Sequence, residues 1–141
     1  MTPEQARLVQ TSFRDVVPIR AAAAAVFYER LFAIDPDIGA MFRPVDLSRQ
    51  GVLLMASLGS FVLGLDRFDA IRPAIRQLAQ RHVHYGVREY HYKAVGKALI
   101  DTLAAALGAS FTPEVRAAWQ AAYALIASTM IAAARDESVA A

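Results

Sequence analysis

Ile71-Arg72-Pro73-Ala74-Ile75-Arg76-Gln77-Leu78-Ala79-Gln80-Arg81-His82 is the stretch whose reading decides the fold. Ile71, Ile75 and Leu78 recur at intervals of four and three, the repeat of an amphipathic helix, and His82 continues the same stripe one turn later. Arg72, Arg76 and Arg81 fall mainly on other faces. A helix that carries an imidazole on its buried side must give it a partner, so this segment predicts both a secondary structure and a site.

The same helical reading extends outward in both directions. Gly86 supplies a stop for this helix near Tyr85, and the residues at 64–69 form the turn before it. Upstream, a long helix is expected over about 48–65 and a loop over 43–47; Asp35-Pro36-Asp37 opens a short helix, and Pro18 separates a first helix from a second at about 19–34. Thr2-Pro3-Glu4-Gln5 is a capping box with Pro at the first helical position. Downstream, helices are expected over about 89–107, ended by Gly108, and from Pro113 to about Arg135, with a frayed tail after it. Seven or so unequal helices without repeat or linker predict an all-α chain forming one domain over residues 1–141. Such helices suit a crossed packing around a pocket better than a regular four-helix bundle.

Composition agrees and excludes much chemistry. Ala makes up about a fifth of the 141 residues, and no stretch alternates with period two. With no Cys there are no thiolate metal sites, iron–sulfur clusters or Cys nucleophiles. The three His all lie within 82–91, and no two share a face beside a carboxylate as a zinc site needs. Phosphate-loop and nucleophile-elbow motifs are missing too. A net charge of +2 with aromatics placed on apolar stripes argues against nucleic acid. The N-terminus has no signal leader, and the uncharged run 117–134, Ala-rich with Gln120, Ser128 and Thr129 inside it, is expected to be a buried helix rather than a membrane span.

Polar residues interrupt two further stripes. Tyr28 shares a face with Ala24, Phe27 and Leu31, which turns its hydroxyl inward, and Gln50 heads the stripe Leu54, Leu58, Phe61 and Leu65. Gly51, costly inside a helix, predicts close approach of another helix such as the Ala-rich 21–25 segment. For His82 two readings stand. One is a core imidazole satisfied by a backbone carbonyl; the other is an iron ligand that binds through Nε2 and donates Nδ1–H to a carbonyl such as that of Leu78. His84 and His91 are the weaker candidates. Between Arg67 and Lys97, seven basic residues face two acids, a solvated face suited also to an acidic partner.

Taken in order, Val26-Phe27-Tyr28-Glu29-Arg30-Leu31-Phe32, Asp35-Pro36, Met41-Phe42, Gln50-x-x-x-Leu54, Leu78-Ala79-Gln80-Arg81-His82, Tyr92-x-x-Val95-Gly96 and Trp119-x-x-x-Tyr123 resemble the bacterial globins, specifically the globin domain of flavohaemoglobins and its single-domain relatives. The resemblance implies a globin fold of seven to eight helices around haem b. It assigns His82 as proximal ligand, Phe42 as the aromatic against the porphyrin, and Tyr28, Gln50 and Leu54 as the distal trio. Tyr28 and Gln50 would stabilise the bound gas, with either open as a weak sixth ligand. Val87, Tyr92 and Val95 would border the cofactor, while Gly51 and Ala24 would be the small pair at a helix crossing. In flavohaemoglobins the Tyr beside the proximal His bonds a Glu of the last helix; the matching position here is Ala134, with Asp136 and Glu137 just beyond it.

The implied function is reversible binding of dioxygen and other diatomic gases, nitric oxide and carbon monoxide among them. Conversion of nitric oxide to nitrate would require a separate reductase, because 141 residues leave no room for an attached one. A cytoplasmic monomer or weak homodimer is expected. Oxygen storage, delivery or gas sensing without turnover is the alternative, and a haem-free helical interaction protein the more distant one.

Overall fold

The computed structural model describes residues 1–140, with side chains through Asp136. Seven α-helices and no strand occur among the described residues: α1 Pro3–Val16, α2 Arg20–Ile34, α3 Pro36–Met41, α4 Leu47–Leu63, α5 Phe68–His84, α6 His91–Leu107 and α7 Pro113–Ala140. Short 3₁₀ turns precede α2, α5 and α7.

Local chemistry sets most of these boundaries. The Thr2 capping box forms, with the Thr2 hydroxyl accepting from the Gln5 amide and the Gln5 side chain answering the Thr2 amide. Pro18 falls inside the 3₁₀ turn Val17–Ile19, where its missing N–H costs no α-helical bond. Asp35 caps α3 as expected. Asp46 caps α4 by accepting from the amides of Ser48 and Arg49, so that helix begins one residue earlier than its Ser suggested and ends at Leu63. The start of α6 moves the other way: residues 89 and 90 form a turn, and Glu89 pairs with Arg135 rather than opening the helix. The last helix passes the expected end at Arg135 and reaches Ala140.

Packing follows the stripes. A central cluster joins Val9, Phe13 and Val16 of α1 to Leu103 of α6 and Trp119 of α7. The indole N–H of Trp119 donates to Ser12 Oγ at 2.8 Å, and that hydroxyl in turn donates to the Leu8 carbonyl, so the buried polar atoms are satisfied. Helix α7 is long and apolar enough to cross a membrane, but Val115, Ala118, Trp119, Ala122, Met130 and Ala133 line a buried face of it, which packs against α1 and α5. That face is the core side of the helix.

The small-residue crossing is present. A Cβ placed on Gly51 would come 3.0 Å from Ala24 Cβ, so α4 and α2 touch almost backbone to backbone. Held this way against α2, α4 diverges by 53° from the segment that contains α5, and α5 instead packs on α7. Two consecutive helices thus lean on different partners.

Past His84 the chain turns back through Gly86, whose φ of +90° lies in the left-handed region. The Val87 amide bonds the His82 carbonyl at 3.0 Å, closing the helix end. An alanine at Gly86 has space, since the nearest atom is Met41 Cε at 3.8 Å, but not the backbone freedom. Gly86→Ala should therefore lower stability by about 1–2 kcal/mol in a urea titration; an unchanged midpoint would mean the turn relaxes freely.

Candidate functional site

His82 lies one turn beyond Leu78 on α5, and its Nδ1 is 2.9 Å from the Leu78 carbonyl. Since a carbonyl only accepts, Nδ1 carries the proton and Nε2 is left as a lone-pair donor, with no hydrogen-bond partner among the described residues. Burial lowers the imidazole pKa; the Leu78 carbonyl opposes this and the neighbouring Arg81 charge adds to it. The ring is thus held neutral and oriented, with one nitrogen unused. The carbonyl of the core-histidine reading and that of the ligand reading prove to be the same atom, and it is the uncommitted Nε2 that asks for a further partner.

The distal candidates assemble on α2, α3 and α4. Tyr28 is buried at 5% exposure, and its ring meets Phe27, Phe32 and Phe42 at centroid separations of 5.1, 5.9 and 5.5 Å. Its hydroxyl donates to the Gln50 backbone carbonyl at 3.5 Å, a long contact for a buried donor. Burial pushes the Tyr28 pKa up to about 12, while a hydrogen bond from the Gln50 side chain pulls the other way. Leu54 and Phe42 pack in the same cluster, joined by Val95 from α6. Tyr28, Gln50, Leu54, Phe42 and Val95 are therefore brought together, whereas Leu78 and Tyr92 share a second cluster with Phe61, Ile75 and Ala79. Val87 stands half-buried at the turn beyond His82. Phe32 is a member of the distal aromatic set that sequence reasoning missed; the Phe at position 32, four residues after Tyr28 on the same stripe, was the available signal.

His91 parts company with the site. His91 is buried at 4% exposure, more than its place near a helix start suggested, and its Nδ1 accepts from the Arg88 amide, a capping role. Around Tyr92 the arrangement rests on Tyr123, whose hydroxyl donates to the Tyr92 carbonyl. A Cβ at Gly96 would lie 2.6 Å from the Tyr123 ring, which explains a glycine in mid-helix. Burial raises the pKa of Tyr123, as does the neighbouring Tyr92, with the Gly96 backbone opposing; burial likewise raises that of Tyr92.

Neither carboxylate near Ala134 is shown taking the place of a Glu there. Asp136 pairs with Arg76 at 3.2 Å, and the side chain of Glu137 lies outside the described residues. Asp136→Ala should accordingly leave the iron–imidazole stretching frequency of the haem-loaded protein unchanged and alter stability by no more than about 1 kcal/mol, since both partners are substantially exposed. A shifted frequency in resonance Raman spectra would show that Asp136 reaches the proximal side.

The family profile described as Globin matches residues 25–130, more than half of the chain. This chain is a globin. The globin is 30% identical over 133 residues to a flavohemoprotein of Deinococcus radiodurans and 26% identical to one of Vibrio cholerae, covering 93% of this chain in both cases. It spans about a third of the length of those relatives. Its fold is that of an engineered carbene transferase from Rhodothermus marinus, named after a nitric oxide dioxygenase, with a TM-score of 0.88, 24% identity, and coverage of 99% of this chain and 97% of the other.

Globin membership implies haem, and the residues present fit it. The uncommitted Nε2 of His82 and the weakly bonded hydroxyl of Tyr28 are the polar atoms such a group would use; Tyr28 lies in an apolar cluster, and His82 stands one turn beyond Leu78 of another. A cleft of about 1480 Å³ runs along the α2–α4 crossing, with Tyr28 and Phe32 among its walls but neither His82 nor Leu54.

Proposed function

We propose that this globin is a cytoplasmic haem protein that binds dioxygen reversibly and converts nitric oxide to nitrate when a separate reductase supplies electrons. The observation that carries the reading is the state of His82, neutral and fixed through Nδ1, with no hydrogen-bond partner at Nε2 among the described residues. Haem b, when bound, supplies the ferrous iron at which diatomic gases coordinate and the electron that the dioxygenase reaction consumes.

The chain's own residues do the rest. His82 Nε2 would hold the iron from α5, with the Leu78 carbonyl fixing the ring's tautomer and orientation. Phe42, Val95 and Val87 would border the porphyrin and keep water from it. Tyr28 Oη, weakly engaged by the Gln50 carbonyl, is free to donate to a gas ligand that draws electron density, and the Gln50 amide can add a second donor. Leu54 narrows the approach. Among the described residues no carboxylate contacts the His82 imidazole, so His82 donates less electron density than an imidazole partnered by Glu.

Electron delivery needs a docking surface, and the turn between α5 and α6 offers one. Arg81, Arg88 and Lys93 have no ion pair among the described residues, whereas Arg72 pairs with Asp69 and Arg76 with Asp136. Beside them Tyr85 and Tyr90 are 71% and 68% exposed. Tyr and Arg together are the residue types that anchor protein interfaces, and the charge selects an acidic reductase.

The test is to mix the oxygen-loaded, haem-containing protein with nitric oxide, with and without an NADH-dependent flavin reductase. The proposal expects nitrate in excess of the protein concentration only when the reductase is present. One equivalent of nitrate and no further turnover under every condition would leave an oxygen carrier or sensor.

A further inference from the structure

On the side of the molecule formed by α6 and α7, a shallow cleft of about 390 Å³ is walled by Lys93, Lys97 and Asp101 of α6 and by Arg116, Gln120 and Tyr123 of α7, with Gly96 in its floor. The spacing of its cations is set by the helices. Lys93 and Lys97 are successive turns on one face, about 6 Å apart along the axis at 1.5 Å per residue. Arg116 lies towards the opposite end, because α6 and α7 are joined by a short turn and run antiparallel.

The charges there are poorly matched. Asp101 is the one carboxylate in the wall, and it is shared between Arg30 at 3.2 Å and Lys97 at 3.4 Å. Lys93 and Arg116 have no ion pair among the described residues. Arg116 is held by stacking on the Phe111 ring, with its guanidinium carbon 5.0 Å from the centroid, which pre-orients its donors. The fold thus gathers four cations, counting Arg30, about one acid and a concave surface. That arrangement is unfavourable when empty and complementary to an anion carrying several charges in a row. Gly96 and the Tyr123 ring keep the floor low, and Gln120 adds an amide.

We propose that this cleft is a binding site for a small polyphosphate anion, inorganic or borne by a nucleoside, with Lys93, Lys97 and Arg116 contacting successive phosphates. Two point-charge ammonium groups and one planar fork suit tetrahedral phosphates along a chain, and the cleft falls in the lower part of the size range for small-molecule sites. The site is distinct from the haem-binding residues and does not depend on gas binding.

Isothermal titration of the haem-loaded protein with tripolyphosphate and, separately, with magnesium-free ATP tests it. Saturable one-to-one binding of tripolyphosphate is expected, weakening as salt is raised. Lys93→Ala and Arg116→Ala should each weaken it about tenfold, and Arg7→Ala, at an exposed position of α1, should leave it unchanged. ATP binding as tightly as tripolyphosphate identifies the phosphate chain as the recognised element, and tighter binding adds a contact to the nucleoside; both support the site. No saturable binding of tripolyphosphate, or equal weakening by Arg7→Ala, would overturn it.

Discussion

Replacing Tyr28 with Phe is expected to speed dioxygen release from the haem-loaded protein by about one to two decades. The buried ring is packed on three sides by Phe27, Phe32 and Phe42, so Phe keeps the shape of the pocket and removes only the hydroxyl. That hydroxyl is available to a ligand because the acceptor its proton meets, the Gln50 carbonyl, stands at 3.5 Å. A hydrogen bond to a partly charged acceptor in a buried pocket is worth about 1.5–3 kcal/mol, and its loss appears in the dissociation rate. Burial adds a pH test. With its pKa raised to about 12, Tyr28 remains a protonated donor far above neutrality, so the parent's release rate should stay flat between about pH 6 and 10. Stopped-flow release measured for the parent and for Tyr28→Phe checks both. An unchanged rate in the variant would transfer the role to the Gln50 amide or to water.

His82→Ala should have the larger effect. Removing the imidazole takes away the one nitrogen in the site that is neutral, oriented and uncommitted. Loss of an outer-shell partner of a metal ligand costs about 10–100-fold in affinity, and loss of the ligand itself should exceed that. The measurement is haem titration of both proteins followed by their ferrous spectra, with added imidazole as a rescue. Restoration of the parent spectrum by imidazole separates lost ligation from misfolding. A variant that binds haem with the parent's affinity and spectrum would place the ligand elsewhere.

The legibility of these features in the sequence depended on range. His82 and Tyr28 stood out because a polar residue breaking a helical apolar stripe is visible within a dozen residues; the structure buries Tyr28 fully and His82 in part. Gly51 foretold a close crossing with the 21–25 segment, and Ala24 meets it there. Helix starts were misplaced by one or two residues where capping chemistry competed. Asp46 caps α4 and starts it at Leu47, and Glu89 was drawn to Arg135, 46 positions away. Contacts of that reach have no local signature. The same holds for Asp136, committed to Arg76, and for Tyr123, which supports the Tyr92 backbone across two helices. Gly96 was the trace the second contact left, a mid-helix glycine whose meaning required the partner ring. Haem itself entered through family resemblance, because no spacing of residues spells out a porphyrin.

The most direct measurement is to add haem to the purified protein and record the reduced, oxygenated and carbon-monoxide spectra. The account predicts uptake of one haem per chain, an intense Soret band, a reduced form with an open coordination position, and distinct spectra on adding each gas. Failure to take up haem, or a reduced spectrum that neither gas alters, would contradict it.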